Sequence, residues 1–270
     1  MKQRILITGG AGFIGSHIAR YFCDSGAEVR VLDNLRTGSL SNLNGLDLEF
    51  VEGSILDSTA LGRVMTGIDY VFHLAAMVSV PESTEKPVES EEVNAIGTLN
   101  VLQAAADAGV RKLCFSSSAA VYGDDPTLPK RETMLPQPKS PYAVTKLSGE
   151  YYCTMFAAEG RLQTAVCRYF NVFGPRQDPG SQYAAAVPIF IAKALNNEPL
   201  TVFGDGEQTR DFIFVKDIVA ANVFLASQHE AVGVYNVAYG NSITVNELAE
   251  LIRARTGTRS EVQHLPERPG

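Results

Sequence analysis

The sequence predicts an α/β fold built on a doubly wound parallel sheet, with a smaller, partly interleaved C-terminal portion. Three observations carry this expectation. Short β-branched runs alternate with helix-patterned segments through the first two thirds of the 270 residues. The strands are nearly continuous in apolar residues, as strands covered on both faces must be. A glycine-rich turn joins the first strand to the first helix. In order, "RILIT", "EVRVLD", "DLEFVEG", "DYVFHLA", "RKLCFSS" and "LQTAVCRYF" read as strands, with helices at about 13–25, 58–66, 91–108 and 141–159. After Phe170 the texture changes. "NVFGPRQDPGSQY" is loop-rich, a helix follows near 186–197, another runs from near Lys216 through "VFLASQ", and "GVYNVA" reads as a late strand. The expected domains are 1–170 plus about 213–238, and about 171–212 plus 239–270, with no clean linker between them.

Composition narrows the classes. The chain is 45% hydrophobic and 20% charged, ordinary for a globular protein. A net charge of −7 argues against a broad nucleic-acid surface, although a few arginines could still meet a small anionic ligand locally. Cys23, Cys114, Cys153 and Cys167 are scattered without a CxxC, so they read as reduced, mostly buried residues, with no disulfide frame and no metal site. No apolar run approaches the roughly 18 residues of a membrane span. The first strand starts at once, so neither a membrane segment nor a signal peptide is expected, and the cytoplasm is the expected compartment.

The first turn carries the first chemistry. In "ILITGGAGFIGSHIARYF", Gly10, Gly12 and Gly15 fit G-x-G-x-x-G, and Gly9, Gly12 and Gly15 fit G-x-x-G-x-x-G. Glycine is needed for the tight turn, for close approach of a pyrophosphate and for packing of helix on strand. The helix N-terminus then faces the phosphates. Such a motif alone is weak, but the second strand ends in Asp33, 18 residues after Gly15, where a carboxylate can bind both ribose hydroxyls. That context points to a dinucleotide. Asp33 would repel a 2′-phosphate, which favours NAD over NADP, with Arg36 close enough to oppose that preference.

"SPYAVTKLSGE" opens the helix at 141–159, with Ser140 suited to the N-cap, Pro141 to the first helical position and Gly160 to its end. Leu147, Tyr151, Met155 and Ala158 recur at helical spacing and predict its buried face. Tyr142 and Lys146, four apart, share one side of it. In isolation such a pair marks only a helix, and the serines of "CFSSSAAVYG" only a strand end with a turn. Beside a nicotinamide they change meaning. Tyrosine titrates near 10, so acting as a base near pH 7 needs a fall of about 3 units, or roughly 4 kcal/mol of phenolate stabilisation. Lys146, the oxidised nicotinamide and the helix N-terminus could supply it, with a serine hydroxyl to orient the substrate oxygen.

Taken together, "TGGAGFIG", Asp33–Asn34, "HLAA" from His73, Asn94 in "VNAIGT", "SSSAAVYG", "SPYAVTK" and "RYFNVFGPRQ" resemble the extended short-chain dehydrogenase/reductases over essentially the whole chain. Within that family the likeness is to UDP-hexose 4-epimerases, including those acting on N-acetylated sugars. The resemblance implies a Rossmann-type NAD domain and a nucleotide-sugar domain. It makes Ser118 the catalytic serine, Tyr142 the acid/base and Lys146 its partner on the nicotinamide ribose. It places Gly9, Gly12, Phe13, Ile14, Asp33, Asn34, Leu35, Thr37 and Gly38 at the NAD site. Ser54, Ile55, Leu74, Ala75, Ala76, Asn94, Ser116, Tyr142, Lys146, Tyr169 and Val172 complete that set, with Ser54 standing where the family often has Asp. His73 is read as structural or pocket-lining, not as a base. Ser118, Tyr142, Asn171, Val187, Thr201, Phe203, Arg210 and Arg268 are the implied contacts to the UDP-sugar. A homodimer through the helices at 91–108 and 141–159 is also implied.

Resemblance further separates the family's chemistries. The sugar 4,6-dehydratases carry Asp-Glu just before "VYG" and the UDP-glucuronate decarboxylases carry Glu there. This chain has Ala119 and Ala120, which cannot transfer protons, so elimination lacks its acid and base, whereas epimerisation needs only Tyr142 and NAD. Two alternatives stay open: an enzyme acting on a UDP-uronic acid, as epimerase or decarboxylase, and a non-catalytic NAD-binding sensor. The family usually continues past "RPG", so the chain reads as C-terminally truncated after Gly270. Whether the sugar is N-acetylated is not decided by these residues.

Overall fold

Residues 2–180 and 185–266 are described by the structure, a computed structural model. The first half runs β1 (Arg4–Thr8), α1 (Phe13–Asp24), β2 (Glu28–Asp33), β3 (Glu49–Glu52), α2 (Ser58–Met65), β4 (Tyr70–His73), α3 (Val80–Glu85), α4 (Pro87–Glu91), a π-helical segment (Glu92–Ile96), α5 (Gly97–Asp107) and β5 (Lys112–Ser118). The second half runs α6 (Pro141–Ala158), β6 (Gln163–Tyr169), β7 (Asn171–Phe173), α7 (Ala186–Leu195), β8 (Leu200–Phe203), β9 (Thr209–Arg210), β10 (Phe212–Phe214), α8 (Val215–Ser227), β11 (Gly233–Val237), β12 (Ile243–Thr244), α9 (Val245–Thr256) and β13 (Val262–Leu265). Two compact units result, Met1–Tyr169 with Val215–Val237 and Phe170–Phe214 with Ala238–Gly270.

The first unit holds one seven-stranded sheet in the order β11-β6-β5-β4-β1-β2-β3, every pairing parallel. Parallel neighbours need a crossover, and the helices supply it on both faces. α1 packs with α8 on one side, and α2, α5 and α6 pack in sequence on the other. Ile5, Leu6, Ile7, Val71, Phe72, Leu113 and Phe115 are buried to within 1% exposure, which explains why these strands read as continuous apolar runs. The second unit has its own core of Val187, Phe190, Leu200, Val202, Leu248 and Ile252, with three two-stranded pairings among its described residues, β10-β7, β12-β9 and β13-β8.

Four expectations need correction. The helix read from 91 begins at Pro87 and passes through the π segment before α5, because the polar turn "PVESE" hides its start from an apolar-periodicity reading. α3 was not expected, nor were β8, β9, β10, β12, α9 and β13, and the start of the stretch read as loop forms β7. α9 had a legible start: Thr244 caps Glu247 N–H while the Glu247 carboxylate accepts from Thr244 N–H, and Gly257 ends the helix at φ 67°. The strand "DLEFVEG" is cut to Glu49–Glu52 at the sheet edge. The buried face of α6 is a different one. Tyr151 and Met155 are 58% and 53% exposed and Ala158 is exposed, whereas Ala143, Lys146, Gly149, Glu150, Cys153 and Phe156 are buried. Polar Lys146 and Glu150 occupy the inner stripe, where periodicity looks for apolar residues.

Candidate active site

Thr8, Asp33, His73, Ser118 and Tyr169 end β1, β2, β4, β5 and β6 on one edge of the sheet. The strand order reverses between β1 and β4, and open α/β sheets bind ligands outside such a switch point. The glycine loop sits there. Gly9 has φ 72°, and a Cβ on it would lie 2.6 Å from Ala75 N. A Cβ on Gly15 would lie 2.3 Å from Gly9 O, so α1 could not approach the turn with any other residue. Gly12 differs: its Cβ would meet only Gly9 O, at 3.2 Å, leaving the space before it open. It also caps α1 without a side-chain oxygen, so the N–H groups of Phe13 and Ile14 are left to a ligand's phosphates. Asp33 lies beside the loop. Its Oδ2 accepts from Ala11 N–H at 2.9 Å and its Oδ1 from Leu35 N–H at 2.8 Å. Each oxygen keeps a lone pair for a ribose hydroxyl. Glycine at 38 keeps that carboxylate accessible, since a Cβ there would stand 3.0 Å from Oδ1. The residues present therefore fit a dinucleotide.

The expected opposition from Arg36 is answered by α3 and α4. Its guanidinium donates to Glu82 at 2.8 Å and Glu89 at 2.7 Å, and Lys86 lies between the same two carboxylates. Asn34 and Thr37 are exposed, and Leu35 takes φ 58°. Ser54 Oγ accepts from Leu56 N–H, and Ile55 is buried against Gly97. Leu74, Ala75 and Ala76 follow β4, half-buried. Asn94, in the π segment, donates to Met77 O and Thr145 Oγ1 and accepts from Met77 N–H. Tyr169 and Asn222 exchange hydrogen bonds.

The structure places Ser118 beside Tyr142, near enough for its hydroxyl to favour the ionised phenol. Ser118 Oγ accepts from Ala120 N–H, which turns the chain away from the end of β5. Lys146 Nζ donates to Ser116 O at 2.7 Å and stands 5.8 Å from the Tyr142 ring centroid. Burial raises the Tyr142 phenol above its ordinary pKa, and the nearby Ser118 hydroxyl opposes that rise. Burial also lowers Lys146 to about 8, with Cys153 and Glu150 opposing. A cation about 6 Å from the ring centre favours the phenolate by about 3 kcal/mol at an effective dielectric near 20, short of the roughly 4 kcal/mol required. The rest, and the burial penalty, fall to the positive charge of an oxidised nicotinamide. The unliganded site is therefore not a ready-made base.

Beneath the site lies a pair that motif reading missed. Arg168 donates to both oxygens of Glu150, at 2.9 and 2.6 Å, and Ser117 Oγ donates to Glu150 Oε1 at 2.5 Å. Two signals pointed to it: Glu150 lies one turn beyond Lys146 on the same helix, and Arg168 interrupts the apolar run of β6. In the second unit, Asn171 donates to Asp211 O, Arg210 is exposed with Nη1 bonded to Thr209 O, and Lys193 donates to Thr201 Oγ1. Val172 pairs with Ile213, Val187 is buried in that unit's core, and Phe203 O accepts from Gln208. Arg268 lies outside the described residues.

A Rossmann-type sheet with a glycine loop, an acidic end to β2 and a Ser–Tyr–Lys group on α6 and β5 marks an extended short-chain dehydrogenase/reductase. The chain belongs to the NAD dependent epimerase/dehydratase family, matched over residues 5–238, and NAD is its cofactor. It is a nucleotide-sugar-modifying member by its relatives. A UDP-N-acetylglucosamine 4-epimerase from Methanobrevibacter ruminantium, solved with UDP-N-acetylmuramic acid, is 43% identical over 100% of this chain and 87% of that one, with a TM-score of 0.96. The UDP-glucose 4-epimerase of Thermotoga maritima, solved with UDP-glucose, is 42% identical over 99% and 87%, with a TM-score of 0.95. A UDP-N-acetyl-alpha-D-glucosaminuronate decarboxylase of Bacillus cytotoxicus is 37% identical over 98% of this chain and 84% of its own length.

Proposed function

We propose that the protein is a UDP-hexose 4-epimerase, with UDP-glucose, UDP-galactose and UDP-N-acetylglucosamine as its candidate substrates. One observation carries this reading: Ser118 and Tyr142 meet at the end of β5, and the two residues after Ser118 are Ala119 and Ala120, without a proton to give. NAD supplies reversible hydride acceptance at the sugar's C4. The chain's own part is to hold and move one proton. Tyr142 Oη takes it from the 4-hydroxyl and returns it to the same oxygen after the sugar has turned over, Ser118 orients that oxygen, and Lys146 favours the phenolate. Turnover of the sugar needs the diphosphate to stay anchored, the role of the Arg210 cation in this reading, with Asn171, Thr201 and Phe203 as further contacts to the sugar-diphosphate or the uracil. A homodimer belongs to the same reading, supported by exposed Ile96, Val144, Tyr151 and Met155 on the segments expected to pair.

The test incubates the protein separately with UDP-glucose, UDP-N-acetylglucosamine and UDP-glucuronate, and separates products by C4 configuration. C4 epimers of one or both hexoses are expected. Absence of any C4 epimer, even with added NAD, refutes the reading, and carbon dioxide released from UDP-glucuronate would replace it with a decarboxylase. Tyr142→Phe is expected to lose at least about 10³-fold in kcat with its melting temperature unchanged.

A further inference from the structure

Helix α6 presents its catalytic tyrosine in the first turn, where backbone N–H groups have no partner within the helix. Their partners can be traced one by one. Pro141 has no N–H. Ala143 N–H is accepted by Ser140 Oγ at 3.2 Å and Val144 N–H by Ser140 O at 3.0 Å. The remaining donor, Tyr142 N–H, is accepted at 3.1 Å by Ser83 Oγ, 59 residues away on α3. Ser83 is fully buried, and its own proton goes to Val80 O at 2.6 Å, so the hydroxyl is locked as an acceptor facing Tyr142. The other end of the residue is also held: Thr145 Oγ1 donates to Tyr142 O and accepts from Asn94. The residue before Ser83 is Glu82, which grips Arg36 in the loop after β2. α3 is thus fixed on one side to the loop that follows Asp33 and on the other to the backbone of Tyr142.

We infer that Ser83 is a positioning residue for the reaction, a tertiary cap that sets where Tyr142 stands relative to Ser118 and Lys146. This rests on the epimerase reading for its kinetic consequence, but not for its structural one. Acid/base geometry tolerates about 0.5 Å of error, and a misplacement of 1 Å can cost on the order of 10²-fold in rate. Ser83→Ala removes one oxygen and little volume. Without it, the peptide of Tyr142 has to seek water or another acceptor, and the phenol drifts from the cation of Lys146.

The experiment compares Ser83→Ala, Ser83→Cys and Thr84→Ala in the NAD-loaded protein. Thr84 is the control, because it bonds the same Val80 O from an exposed position and has no bond to Tyr142. Ser83→Ala is expected to lower kcat about 10–100-fold with KM within about twofold, and to move the tyrosine limb of the pH profile upward. Ser83→Cys, a weaker acceptor, falls between Ala and Ser, and Thr84→Ala matches the parent. Amide exchange at Tyr142, measured without substrate, is expected to accelerate most in Ser83→Ala, less in Ser83→Cys and not at all in Thr84→Ala. That readout does not depend on which sugar reaction occurs, so a parent protein lacking epimerase activity would refute the proposed function while exchange still decides the role of Ser83. Unchanged Tyr142 exchange together with unchanged kcat in Ser83→Ala overturns the inference. Should that variant not fold, parent-like kcat and exchange in Ser83→Cys overturn it equally.

Discussion

Thr8 and Thr98 bracket the His73 ring, at 2.7 Å from Nδ1 and 2.9 Å from Nε2, with Phe115 stacked against it. Thr98 gives its proton to Asn94 O, so it accepts from Nε2–H, and Nδ1 accepts from Thr8. The ring is therefore neutral with both nitrogens engaged, in keeping with a structural role. Burial, with help from the Lys146 cation, holds its pKa down to about 3. Between the unfolded value near 6.5 and about 3, the unfolded chain takes up a proton that the folded one refuses. Stability is thus full above about pH 6.5 and falls as the pH drops toward 3, by about 1.4 kcal/mol at pH 5.5. Unfolding free energies from denaturant titrations at pH 7 and 5.5 are expected to differ by about 1.3 kcal/mol in the parent, and the difference is expected to shrink in His73→Gln.

Helix α6 and strands β5 and β6 are tied together by one buried ion pair, Glu150 with Arg168, 3–4% exposed at their side chains. The pair is bidentate and Ser117 adds a third bond, so the carboxylate is well satisfied despite its desolvation. Its geometry sets the angle at which α6 delivers Lys146, one turn earlier, to Ser116 O. Glu150→Gln leaves the guanidinium buried without its counter-charge, and a loss of about 3–5 kcal/mol is expected. Thermal unfolding measures it as a fall in melting temperature of roughly 10 °C. Replacing both partners with apolar residues of similar volume is expected to recover much of that loss, because an ion pair removed whole leaves no stranded charge. A full loss in the double variant would show that the elements are held by something else.

At the scale of the whole molecule, occupancy of the NAD site is linked to folding, and in the proposed reading that site lies in the first unit. Any ligand bound only by the native state stabilises it, by about 2.7 kcal/mol at 100 times its dissociation constant. NAD is expected to raise the melting temperature of cofactor-free protein, with NADP at the same concentration giving a much smaller rise. Asp33 would face the extra phosphate, and Arg36, already gripped by Glu82 and Glu89, is poorly placed to neutralise it. Asp33→Asn is expected to narrow the gap between the two cofactors. Equal shifts in the parent would remove Asp33 as the discriminator. Among the described residues no helix is long and apolar enough to cross a membrane.

Much of this was legible in the order of residues. The alternation of strands and helices, the glycine turn, Asp33 at a strand end and the first turn of α6 all depend on local properties: side-chain period, glycine's freedom at positive φ, and capping over three or four residues. Those forces act between neighbours in the chain, so the sequence alone determined them. The rest required partners far apart in the chain. Which stripe of α6 is buried, what Arg36 holds, which acceptor meets Tyr142 N–H and how Glu150 finds Arg168 depend on contacts spanning 18 to 59 residues. An apolar stripe predicts burial only where the core is apolar throughout. Around α6 it is not, because Lys146 and Glu150 are drawn inward by Ser116 O and Arg168. Only the tertiary structure could decide that, since it supplies the acceptors and counter-charges that make burying those groups tolerable.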